Sequence, residues 1–375
     1  MRLTPDRPSS AGAVRVTTLE LFFDLVFVFT ITQLTEVLTE HPTGAGVAQA
    51  ALTLGVVFWM YGGYAWMTNA VPPTDPALRG LLLVGMAGFL VMALALPDAF
   101  GDDGIAFGVA YVVVTAVHTA MYTKAGGVEA WAILRLGRFN IAAALLVLTA
   151  GFVQGAADWW LWGAAVAVQV FGPFVSHTVG GFRIRPVHFV ERHGLLLIIV
   201  LGESVVAVGI GAAGLPVDLA LSTGAVLALA LTVALWWAYF DHDDEAAEHA
   251  LTALPEDQRS PAALRAFGYA FAALLAGIVT FAAGTKKSIG HIADPVGGAG
   301  AWYLGSGIAL FLLGTVAFRL ALSTGAVALR MLAAAAVLAT VPLGIWVSAW
   351  SQLVALLVVM VVCLAAEHRR SHAET

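Results

Sequence analysis

The sequence predicts an all-α integral membrane protein of about twelve transmembrane helices, arranged as two parallel six-helix repeats. Its composition, the spacing of its apolar runs and the placement of its basic residues carry that expectation. Of 375 residues, 60% are apolar and 11% charged, whereas a soluble domain carries about 25% charged residues. A water-soluble fold cannot dispose of that much apolar surface. A helix needs about 20 apolar residues to cross roughly 30 Å of hydrocarbon. Such runs occur at 18–38, 47–69, 77–97, 104–123, 133–153, 158–178, 190–212, 218–240, 263–284, 301–321, 325–345 and 347–366. They are too long and continuous for the alternating segments of a β-barrel, so helices are the way left to satisfy the backbone in lipid. The break between the last two runs is the tightest.

Orientation follows from the basic residues, because cytoplasmic loops are enriched in lysine and arginine. With the N-terminus inside, 16 of the 18 basic residues fall on the inner side, and only Lys286 and Lys287 fall outside. Both termini are therefore expected in the cytoplasm. Residues 1–16 are polar and carry three arginines, which reads as a retained cytoplasmic leader and not as a cleaved signal peptide. Residues 371–375 read as a cytoplasmic tail. The single cysteine, Cys363, permits no intramolecular disulfide.

Two six-helix units, 17–185 and 186–370, are suggested by matches in a fixed order. Glu20, Trp59-x-Tyr61, Arg79 and Leu134-Arg135 in the first half correspond to Glu191, Trp237-x-Tyr239, Arg265 and Leu329-Arg330 in the second. Their offsets grow steadily along the chain, and six spans return it to its starting side, so the units run parallel.

Charges at bilayer depth are costly and usually face a cavity or a partner. Glu20 and Asp24, four residues apart, share one face of the first span near its cytoplasmic end. Thr35 lies close to the same face. These carboxylates line a permeation or proton path, or they pair with arginines such as Arg135 or Arg138, or they stabilise a helix N-terminus. In the seventh span, His188, Glu191, Arg192 and His193 occupy the first turns, and Glu203 follows Glu191 by about 18 Å, which places it near the midplane. Arg192 and Glu203 share a face, and Gly202 permits close helix approach. The structural alternative for Glu203 is an interhelical hydrogen bond without traffic. His118 and His177 lie in the cytoplasmic half, where they could relay protons or make single packing hydrogen bonds. Asn140 and Gln169 suit interhelical hydrogen bonding. The acidic run Asp241-His-Asp-Asp-Glu245 follows no metal-site spacing and reads as a solvated loop. Trp159, Trp160, Trp162, Trp236 and Trp237 sit at span ends and suit interfacial belts.

The opening segment Val16-Thr-Thr-Leu-Glu-Leu-Phe-Phe-Asp-Leu-Val-Phe-Val-Phe-Thr-Ile-Thr-Gln-Leu34 resembles the start of the bacterial low temperature requirement A family. Arg138-Phe-Asn-Ile-Ala-Ala, His188-Phe-Val-Glu-Arg-His-Gly, Leu201-Gly-Glu-Ser-Val-Val206 and Trp236-Trp-Ala-Tyr-Phe-Asp241 resemble it too. The resemblance covers most of the chain and implies a multi-span protein of the bacterial inner membrane. Glu20-x-Phe22-x-Asp24-x-Val26-Phe27 is more faintly similar to the first helix of a lysosomal and bacterial potassium-channel family with an R-x-x-x-F-S-D motif. Here Phe23 replaces the serine, and Arg15 stands farther from Asp24 than that motif requires. Gating and selectivity are not carried over.

Several classes are excluded by missing motifs. There is no phosphate-binding loop and no H-E-x-x-H zinc helix, so ATP-driven transport within this chain is ruled out. Lys124, Lys286 and Lys287 lie at span ends, which disfavours a retinal-type Schiff base, and no span carries an arginine ladder. The expected function is a secondary transporter or channel moving protons, monovalent cations or a small solute past Glu20, Asp24, Glu203, Glu191, His193, Arg138 and His118. A membrane enzyme acting on a lipid-like substrate at the cytoplasmic His/Glu/Asp cluster, or a sensory or assembly protein, are the alternatives. The lipid bilayer is the expected partner. The sequence points to no nucleic acid, cofactor or resident metal.

Overall fold

The computed structural model describes residues 16–73, 75–125, 127–153, 155–176 and 182–374. The leader expected over 1–16 lies almost wholly outside these residues, as does His177. Every regular element among the described residues is helical. Helices α1 (Thr18–Glu40), α2 (Gly44–Ala70), α3 (Pro76–Ala95), α4 (Gly104–Ala125), α5 (Gly127–Val153) and α6 (Ala156–Val175) form the first half. The second half holds α7 (Pro186–Gly211), α8 (Leu219–Phe240), α9 (Asp243–Ala253), α10 (Glu256–Ala263), α11 (Phe271–Ser288), α12 (Gly297–Leu322), α13 (Ala328–Leu338), α14 (Val341–Trp346) and α15 (Ala349–Glu374).

Eleven helices among the described residues are long and apolar enough to cross a membrane. They fall on eleven of the twelve expected runs. The remaining run is α6, a 20-residue helix whose Asp158, Gln169 and four-residue stretch Trp159–Trp162 lower its apolarity. Two runs are not single α-helices. A π-helical turn, Leu264–Ala270, joins α10 to α11, and the eleventh run breaks between α13 and α14, where Pro342 takes the first turn of the new helix. The break between the last two runs spans only Val347 and Ser348.

Helix starts follow local chemistry. Thr17 accepts from the backbone N–H of Glu20, whose side chain accepts from Thr17 in return, a capping box that opens α1. Asp75 accepts from the N–H of Ala77 ahead of Pro76 to open α3. Asp218 does the same for α8 through Leu221.

In lipid, close packing and not apolar burial brings helices together. Glycines seven residues apart make the tightest seam. Gly277 and Gly284 on α11 face Gly307 and Gly314 on α12, and a Cβ on Gly307 would lie 2.4 Å from the backbone N of Phe281. Gly104 and Gly151 similarly bring α4 onto α5.

At the centre, α1 packs against α2, α3, α7 and α11. Around it, the first half packs in the order α1–α3, α3–α4, α4–α5, α5–α6, α6–α2, and the second in the order α7–α11, α11–α12, α12–α13, α13–α15, α15–α8. Thus α1 and α7 lie side by side and point the same way.

Candidate functional site

The seam between α1 and α7 gathers buried charge. Glu20, Asp24, His188 and Arg192 are each at most 3% exposed. The arginine crosses from α7 to α1, and its guanidinium donates to Glu20 at 3.0 Å, to Asp24 at 3.2 Å and to the hydroxyl of Thr68. It also lies over the rings of Phe23 and Tyr61. A planar fork suits this role, since one side chain must reach two carboxylates and a hydroxyl together. Tyr61 donates to the same oxygen of Asp24 that faces Arg192, at 2.9 Å. The other oxygen, Oδ2, has no hydrogen-bond partner among the described residues.

Glu20 therefore serves twice, in the capping box through Oε2 and in the ion pair through Oε1. Asn69, near the end of α2, splints the start of α7. Its Oδ1 accepts from the N–H of Arg185, while its Nδ2 donates to the carbonyl of Arg185 and to Nδ1 of His188. The backbone contact fixes the amide orientation, so Nε2 of His188 carries the proton that faces Glu20 at 3.4 Å. The partner of the carboxylates is thus Arg192 and not Arg135 or Arg138. Both of those arginines are exposed, on a helix that packs against α4 and α6, and Arg138 stacks over Phe139.

Farther along the seam, Glu203 is 2% exposed and accepts from Thr32 at 2.6 Å. Among the described residues it forms no ion pair. It lies on α7 (Pro186–Gly211), three turns beyond Arg192. Leu196 and Val200, on the turns between Arg192 and Glu203, are fully buried. Beyond Glu203, Lys286 of α11 pairs with Glu36, and Lys287 donates to the carbonyl of Thr39 at 3.0 Å. The seam therefore runs from an acidic cluster, through an apolar stretch, to a lone glutamate and then an ion pair.

The remaining expected residues lie off this line. Glu191 is exposed. His193 donates from Nδ1 to the carbonyl of Phe189 and packs among Phe189, Phe267 and Phe271. His118 lies against Tyr64 and Tyr122, on the far side of α2 from Arg192. These histidines do not converge with Glu20 and Asp24, and among the described residues no three His, Cys, Asp or Glu side chains gather as a metal site.

A second charge cluster was not legible as such. The acidic run is not a solvated loop at Asp243, which opens α9 and is 2% exposed. Its carboxylate bridges Arg319 at 2.8 Å and Arg330 at 2.6 Å, and both arginines also reach Glu367. Arg319 further donates to the carbonyl of Ala326, and Arg330 to that of Ala238. Opposite charges at four span ends on one side of the bundle were the available signal. This cluster ties α9, α12, α13 and α15 together.

Fold and seam define a multi-span membrane protein with charged groups held inside its helix bundle. Residues 15–365 match the family described as bacterial low temperature requirement A protein (LtrA), and the protein belongs to that family. An uncharacterized protein of Rhizobium meliloti (strain 1021) is 30% identical over 293 residues, covering 72% of this chain and 69% of that protein.

Proposed function

We propose that the protein is a secondary transporter or channel of the bacterial cytoplasmic membrane, with both termini inside. It moves protons, monovalent cations or a small solute along the α1–α7 seam, and Glu203 is its exchanging carboxylate. The observation that carries this reading is charge balance. Glu20, Asp24 and Arg192 sum to −1, and Glu203 adds a carboxyl group that forms no ion pair among the described residues, the cation that acts on it, Lys286, being paired with Glu36. A fixed surplus of negative charge away from water is costly, and a proton or a bound monovalent cation relieves it. The Asp243 cluster sums to zero with each of its arginines doubly engaged, which suits a structural tie.

The seam also lies where the two halves meet. The shared packing order of α1–α6 and of α7, α8, α11, α12, α13 and α15 supports two parallel six-helix units. Transporters built from repeats bind their cargo at the interface between them. In this reading the Glu36–Lys286 pair and the Arg192 cluster close the path at its two ends, with Glu203 between them. The purified chain in liposomes, tested with proton, sodium and potassium gradients and an internal pH-sensitive dye, should show flux under at least one gradient. Absence of flux under all three would overturn the proposal.

A further inference from the structure

Behind α2, away from the charged seam, lies a cavity of about 80 Å³ lined by Trp59, Trp66, His118, Asn140, Phe182 and Phe267, among others. Its walls come from both halves of the chain, including the π-helical turn Leu264–Ala270, a distortion found often at functional sites. His118 is 2% exposed; one ring nitrogen stands against the backbone carbonyl of Gly63, and the other has no hydrogen-bond partner among the described residues. Buried polar atoms are almost always satisfied, and a ring nitrogen left without a partner costs stability unless something in the cavity completes it. Asn140 accepts from the indole of Trp59 at 3.2 Å, which leaves its amide group as a second polar handle.

We infer that this cavity is a binding site for a small, neutral, flat molecule with one hydrogen-bonding group, of the phenol class, seated between aromatic walls and bonded to His118. Each property follows from the lining. Among the described residues no Asp, Glu, Lys or Arg lines the cavity, so an ion would enter without compensation. Aromatic rings favour a planar partner. The volume limits the ligand to about one ring, and the pattern of an apolar pocket with few polar groups is that of a small-molecule site. Glycine supplies the room: a Cβ on Gly62 would meet nothing within 4 Å, whereas one on Gly63 would lie 3.0 Å from Nε2 of His118.

Phenol and benzene, titrated into the purified full chain while its melting temperature and tryptophan fluorescence are read, test the assignment. Ligand binding to the folded state raises the melting temperature with concentration. Phenol should bind the native chain about three- to tenfold more tightly than benzene, the span one hydrogen bond supplies. In His118→Leu that preference should vanish while benzene binding persists, and the free protein should melt no lower than native. Gly62→Val, which fills the cavity, should abolish both signals; Gly62→Ala, a smaller plug, should weaken them. An unchanged phenol preference in His118→Leu, equal signals in the Gly62 variants and the native chain, or no phenol signal in native protein would each overturn the inference.

Discussion

Arg192 is the residue on which the seam depends. It is 1% exposed and pairs with carboxylates from two turns of α1. Removing one partner of a buried ion pair leaves uncompensated charge, at a cost of about 3–5 kcal/mol. Arg192→Gln should therefore lower the melting temperature sharply in detergent. Arg192→Lys should recover only part of the loss, because a point charge cannot span Glu20, Asp24 and Thr68 at once. Full recovery with lysine would mean that net charge, and not fork geometry, organises the cluster. The carboxylates were legible in the sequence, since Glu20 and Asp24 share a helical face. Their partner was not, because pairing across a seam between helices 168–172 residues apart depends on packing that no local spacing encodes.

At the scale of the helix, the long apolar runs were readable because hydrocarbon thickness fixes their length. The breaks were not. The π-helical turn at Leu264–Ala270 follows Pro261 and the other interruption precedes Pro342, and the length of an apolar run does not show where a proline breaks it. The α11–α12 seam makes a sharp prediction. Gly307→Val places side-chain atoms on the backbone of α11 and should destabilise by about 1–3 kcal/mol through overpacking. Gly298→Ala on the same helix meets nothing within 4 Å and should be close to neutral. Equal melting temperatures for the two variants would show that the seam relaxes freely. Asp75, which caps α3 outside the span, is held below the usual carboxylate range by the Ala77 N–H and then by Lys124. With its folded pKa depressed, its contribution is present above the unfolded value and fades as pH falls through the folded one. Asp75→Ala should accordingly remove a small part of the acid-side slope of stability, and an identical slope would refute that role.

Across the whole molecule, buried charge falls into two clusters of different balance. The cluster of Asp243, Glu367, Arg319 and Arg330 is balanced and the α1–α7 seam is not. Arg330→Gln should therefore lower stability by about 3–5 kcal/mol while leaving flux per folded molecule intact. A selective loss of flux would assign the second cluster to the path. The sequence made the membrane class and family resemblance plain through composition and the first-span motif. It concealed the second cluster, because Asp243 lies in an acidic stretch whose other members are more exposed. The proposed sidedness, with both termini inside, rests on the placement of 16 of the 18 basic residues. Reporter fusions at 101, 156 and 215 should read outside, and those at 128, 184 and 254 inside. A cytoplasmic reading at 156 would overturn the span assignment.

The central claim concerns Glu203, bonded to Thr32 and in no ion pair among the described residues. The most direct test reconstitutes Glu203→Gln in liposomes and measures pH-dependent flux together with melting temperature, with Asp24→Asn alongside. Glutamine keeps the shape and can accept from Thr32, so fold and insertion should survive. It cannot exchange a proton or neutralise a cation. The expected result is a native-like melting temperature with flux abolished. Native flux in a well-folded Glu203→Gln protein would contradict the account and leave Glu203 as a packing hydrogen bond.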